Sequence, residues 1–106
     1  MDNIFQFTNQ LSDHVVFETI LNSKNVKIER IISTGKTTAE DTWYDQEEDE
    51  WVMLLQGKAT LLFFDNSSIN LQAGDYLLIK SHLKHRVTFT SFEPPCIWLA
   101  IHGNLS

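Results

Sequence analysis

The chain has 106 residues, 42% of them apolar, and 14 acids against 8 bases for a formal charge of −6. That is enough for one hydrophobic core and too short for two, and too apolar for a disordered or fibrous chain. No apolar run approaches the roughly 20 residues of a membrane helix, and no basic stripe offers a surface for phosphates, so neither a membrane nor a nucleic acid is an expected partner.

The start, Met1-Asp2-Asn3, has neither a basic stretch nor a long apolar segment behind it, so no signal peptide is expected. The lone cysteine, Cys96, cannot close an internal disulfide, which makes a reducing cytoplasm the expected compartment. Residues 1–13 read as a leading arm or short helix. From there on the chain is a series of short Val-, Ile-, Leu-, Phe- and Thr-rich runs: 15–21, 26–33, 50–56, 58–64, 69–71, 76–79, 86–90 and 96–102. Between them stand turn formers such as Gln56-Gly57, Asp65-Asn66-Ser67-Ser68, Ala73-Gly74-Asp75 and Pro94-Pro95. Eight short strands with almost no helix predict an all-β sandwich or small barrel. Several runs, WVMLL and CIWLAI among them, are apolar on both faces. An outer face covered by a second copy follows, so a homodimer is expected.

The charge is concentrated. Glu40, Asp41, Asp45, Glu47, Glu48, Asp49 and Glu50 supply half the acids, with no base among them. The last of these opens the run Glu50-Trp51-Val52-Met53-Leu54-Leu55-Gln56-Gly57, a glutamate and a turn glycine with six residues between them. Further on, Gly74-Asp75 leads into an apolar strand and a loop that ends at His85. Strand alternation puts Glu50 on one face with Val52 and Leu54, and His85 on one face with Val87 and Phe89. Both ionisable groups therefore point inward, where a charge is costly unless it is paired or bound.

The two segments together resemble the cupin superfamily, whose first motif ends in E-x6-G and whose second begins G-D and ends in histidine. The resemblance spans roughly residues 35–87 and implies an antiparallel jelly-roll barrel, here one domain over 1–106 with the barrel at 15–102. It also implies a divalent metal (Fe, Mn, Ni or Zn) held by two histidines of an H-x-H, the motif glutamate and the motif histidine. Glu50 and His85 match. The H-x-H does not occur: its place is taken by Trp43-Tyr44-Asp45-Gln46, aligned either as Trp43 with Asp45 or as Tyr44 with Gln46. Asp45 is the best substitute ligand, because a carboxylate coordinates more readily than an amide or a phenol. Lys80 and His82 stand where the second motif usually has proline and glycine.

The remaining candidates read as structural. His82 is expected to fix its loop by hydrogen bonding, His102 to pack at the rim, and Trp43, Tyr44, Trp51 and Trp98 to pack in the core or an interface. Trp43 and Tyr44 have a pocket-lining role as the alternative. The expected function is binding of a small polar molecule inside the barrel. Glu50 and His85 are the catalytic candidates, and Glu50, His85 and Asp45 the metal candidates. The competing class is a non-catalytic, metal-free ligand-sensing or stress-linked module. The acid segment is expected to face Lys80, Lys84 and Arg86 as an acidic lip opposite a basic one.

Overall fold

In the computed structural model, residues 1–6 and 15–106 are described; the expected leading arm beyond residue 6, and His14, lie outside them. Eight antiparallel strands follow in chain order: β1 (Val16–Asn22), β2 (Val26–Ser33), β3 (Asp49–Gln56), β4 (Lys58–Phe63), β5 (Ser68–Gln72), β6 (Tyr76–Ile79), β7 (His85–Thr90) and β8 (Cys96–Gly103). Each expected run is found within two residues of its predicted ends, the usual fuzziness of strand termini. No helix occurs among the described residues, and none is therefore long and apolar enough to cross a membrane.

The strands form two facing sheets, one ordered β1-β2-β8-β3-β6 and the other β5-β4-β7. This is the all-β jelly-roll that the strand pattern and the resemblance predict. Alternation along β3 drives Val52 and Leu54 inward against Trp98 and Ala100 of β8. Leu61 and Phe63 of β4 meet them from the other sheet. Leu54, Cys96 and Ile97 lose all contact with solvent. The segment after β2 is bonded to the free edge of β7. Gly35 N donates to Ser91 O, Thr38 N to Val87 O, and Thr90 Oγ1 to Lys36 O at 2.6 Å. Residues 35–38 thus widen the smaller sheet and wall the space between the layers.

One expectation about facing fails. Phe89 does not share the inward face of His85 and Val87. Pairing of β7 with β4 shifts between Thr60↔Phe89 and Leu61↔Val87, leaving Thr88 as an extra residue. Such a bulge reverses the alternation beyond it. Phe89 is therefore half exposed, and Thr90 takes the buried position.

The E-x6-G glycine has a steric reason. Gly57 turns β3 into β4 at φ 93°, and a Cβ there would stand 2.7 Å from Ser91 Oγ and 2.9 Å from Cys96 Sγ. The turn needs a residue without a side chain. Gly74 also has positive φ, but no atom lies within 4 Å of its would-be Cβ. Gly57→Ala is expected to cost more than the ~1–2 kcal/mol of a left-handed backbone, and Gly74→Ala no more than that. Urea unfolding of the two variants measures the difference.

Candidate functional site

A cavity of about 90 Å³ opens between the sheets, well above the ~10–15 Å³ needed to admit a single water. Its walls are mostly apolar, including Val52, Leu61, Ile79 and Trp98, and its polar groups come from six segments, one of them residues 36–38. β3 brings Glu50, β7 brings His85, and the strand-like piece at 44–46 brings Tyr44 and Gln46. β2 and β8 add Glu29 and His102.

Glu50 and His85 converge as alternation requires. Their side chains are 10% and 6% exposed, and Glu50 Oε1 stands 3.7 Å from His85 Nε2. His85 Nδ1 lies 2.9 Å from the carbonyl oxygen of Leu83. A carbonyl can only accept, so the Nδ1 proton is held there and Nε2 is turned to Glu50. Burial holds the Glu50 carboxyl above its ordinary value of 4.5, against the opposing pull of His102 and His85 and with a further push from Glu29.

Asp45 does not join them. Tyr44 pairs with His85 through two backbone hydrogen bonds, and His82 N donates to Gln46 O. Alternation along this short ladder points Tyr44 and Gln46 into the cavity and Asp45 between them outward. There its carboxylate meets His82 Nδ1 at 2.8 Å, with both side chains well exposed. His82 thus has the loop-fixing role expected of it, and the alignment of Tyr44 with Gln46 is the one the backbone adopts. Trp43 packs edge-to-face on Phe64 at 5.1 Å, while Tyr44 lies 5.6 Å from the His85 ring.

The acidic and basic lips do not frame this cavity. Lys84 and Arg86 sit over the Phe64 and Trp43 rings, at 4.9 and 5.8 Å. Among the described residues, Lys36 is the lysine or arginine that lines the cavity. Asp49, expected on the rim, is buried. It accepts hydrogen bonds from Ser81 N, Leu105 N, Ser106 N and Ser106 Oγ, all at 2.8–3.0 Å. It ties the start of β3 to the end of the chain.

A pair absent from the expectations faces the cavity beside Glu50. His102 Nε2 donates to Glu29 Oε1 at 2.8 Å, and Lys27 Nζ lies 3.2 Å from the other Glu29 oxygen. Sequence parity misses Glu29 because its own face of β2 (Lys27, Glu29, Ile31, Ser33) is less apolar than the opposite one (Val26, Ile28, Arg30, Ile32). Its signal is the register: β8 pairs with both β2 and β3, so Glu29 belongs to the wall that holds Glu50.

The donor set does not suit the expected metal. Of the four family positions, Glu50 and His85 keep ligating groups, while Tyr44 and Gln46 replace the histidine pair. His102 Nε2 is committed to Glu29. Among the described residues no three His, Cys, Asp or Glu side chains come together as a metal site.

With this geometry in place, comparison with known proteins gives the family. The Cupin domain model matches residues 30–102, and the chain belongs to the cupin family. A candidate mannose-6-phosphate isomerase from Ralstonia eutropha is 35% identical. The match covers 99% of this chain and 98% of that one, at a TM-score of 0.91. A cupin superfamily protein from Desulfitobacterium hafniense is 21% identical over 91% of this chain and 83% of its own, at a TM-score of 0.75. An RmlC-like cupin from Desulfovibrio desulfuricans is 16% identical over 96% of this chain and 94% of its own, at 0.74. The last two share the fold. Among curated proteins no match is found.

Neighbouring carboxylates should respond oppositely to neutralisation. Hydrogen bonds from Ser81, Ser106 and Leu105 hold Asp49 below its ordinary value of 3.8. Its stabilisation is complete above that value and fades as pH falls through the lowered one. For Glu50 the sign reverses, because the folded state binds the proton more tightly. Stability is then highest below 4.5 and declines as pH rises toward the raised value. Asp49→Asn is expected to lower the thermal midpoint at neutral pH, with the loss shrinking in acid. Glu50→Gln is expected to leave it unchanged or raise it at neutral pH. Circular-dichroism melts across acid and neutral pH read both.

Proposed function

We propose that this cupin binds a small hydroxyl-rich molecule of monosaccharide size between its sheets, with Glu50 and His85 facing it as an acid–base pair. The observation that carries the reading is the 3.7 Å gap between two buried groups of complementary chemistry. That is too long for a hydrogen bond, so each retains capacity for a ligand hydroxyl that reaches both from the cavity. Burial favours the protonated form of the Glu50 carboxyl, the form that donates a proton, and His85 Nε2 can accept one. The aromatic and aliphatic walls suit the C–H faces of a sugar ring, and the similarity to a candidate mannose-6-phosphate isomerase supports a sugar or sugar phosphate. Acid–base isomerisation is the reaction class that this pair serves without a metal step.

Calorimetric titration with D-mannose and D-mannose 6-phosphate, beside an NMR assay for the ketose products, tests this. Binding of at least one sugar is expected, weakened about tenfold or more in both Glu50→Gln and His85→Ala by loss of a hydrogen-bonding group. Turnover should drop by ~10²–10⁴ in Glu50→Gln, the usual worth of a general acid or base. Chelator-treated protein should bind as untreated protein does, since among the described residues no three His, Cys, Asp or Glu side chains form a metal site. Binding without turnover would make the protein a non-catalytic binding module, and no binding of either sugar would overturn the proposal.

The expected homodimer belongs to the same proposal. Trp51 and Met53 of β3, and Leu99 and Ile101 of β8, point away from the core on two of the three inner strands of the five-stranded sheet, and all four are part-exposed. Sedimentation at micromolar concentration should give a dimer, and Met53→Glu a monomer. A wild-type monomer at that concentration would count against it.

A further inference from the structure

Four ionisable groups stand in a row along the cavity wall. In strand order across the larger sheet they are Glu29 on β2, His102 on β8 and Glu50 on β3. His85, on β7 of the facing sheet, ends the row. Carboxylate and imidazole alternate. Glu29 meets His102 at 2.8 Å, His102 is the direct cross-strand partner of Glu50, and Glu50 faces His85 across 3.7 Å. Glu29 lies just outside the family match at 30–102, and neither motif contains Glu29 or His102.

A purely structural role accounts poorly for the first pair. A buried ion pair is seldom more stabilising than apolar residues of the same volume, and the positions beside it on the same walls are Ile31, Val52 and Ala100. Lys27 compensates the Glu29 charge from the solvent side, so the pair has no need of a cationic ligand. It presents the cavity with a near-neutral set of hydrogen-bonding groups, which matches hydroxyls. A near-neutral row offers an anionic group no counter-charge. Any phosphate or carboxylate on the ligand would sit instead toward Lys36, the basic side chain in the lining among the described residues.

We infer that Glu29 and His102 form a second hydrogen-bonding station for the ligand, selecting neutral polyol or sugar moieties whose hydroxyls reach both ends of the row. The inference rests on the reading that Glu50 and His85 face a hydroxylated ligand. A ligand hydroxyl bonded to this pair adds a hydrogen bond that a deoxy analogue cannot make.

The test is a calorimetric comparison of D-mannose with 2-deoxy-D-glucose and 6-deoxy-D-mannose, on wild type, Glu29→Gln and His102→Gln, each checked for cooperative melting. Wild type is expected to prefer mannose over at least one deoxysugar by about tenfold or more. Both variants should lose that preference while still binding the deoxysugar, which a merely structural change would not produce. If Glu29→Gln fails to fold, Glu29→Asp, which keeps the charge and shortens the reach, gives the same readout. Variants that keep the wild-type preference, or a wild type without one, overturn this inference and leave the Glu50–His85 reading intact. Wild-type protein that binds none of the sugars overturns both.

Discussion

Register between β3 and β8 sets Glu50 opposite His102, Val52 opposite Ala100 and Leu54 opposite Trp98. These three pairs step from the polar wall of the cavity down into the dry core, so one ladder supplies both the binding surface and the packing beneath it. A slip of one residue would turn Trp51 and Met53 inward and send Glu50 out to solvent. The apolar pairs are what prevent it. Leu54 is fully buried and Trp98 nearly so, and the energy of keeping them inside fixes where Glu50 and His102 must stand. The site is held in place by the core rather than by its own contacts.

Asp49 and Glu50, adjacent in the chain, show two answers to burying a carboxylate. Asp49 is surrounded by donors, four hydrogen bonds from the 81 loop and the C-terminal residues, and its negative form is stabilised. It acts as a clamp. Glu50 has no comparable set of donors, and burial favours its neutral form. A group retained under such a penalty is a functional candidate on physical grounds. Alternation separates the two: consecutive residues of a strand face opposite ways, so neighbours in sequence occupy unrelated environments.

Much of the frame was legible from residue order. Hydrophobic runs and turn formers located all eight strands, because burial and turn geometry act locally. Parity alone put Glu50 and His85 inside. Three things were hidden for identifiable reasons. Thr88 is a bulge, and nothing in Arg86-Val87-Thr88-Phe89-Thr90 distinguishes an extra residue from a regular one, so Phe89 was assigned to the wrong face. Asp45 is the better metal ligand by chemistry, yet the backbone pairing of Tyr44 with His85 points its neighbours inward and turns Asp45 to His82. Glu29 stands on the less apolar face of β2, and only its place next to β8 shows that this face is the inner one.

By itself, then, the chain's order of residues determined an all-β jelly-roll, the turn glycine after β3 and an inward Glu50 and His85, since alternation and steric need are properties of neighbouring residues. The tertiary structure alone decided which other groups share the cavity. Strands distant in sequence become neighbours only through the sheet order β2-β8-β3 and the facing of β7. That order assembles Glu29, His102, Glu50 and His85 into one row, and it leaves Asp45 outside.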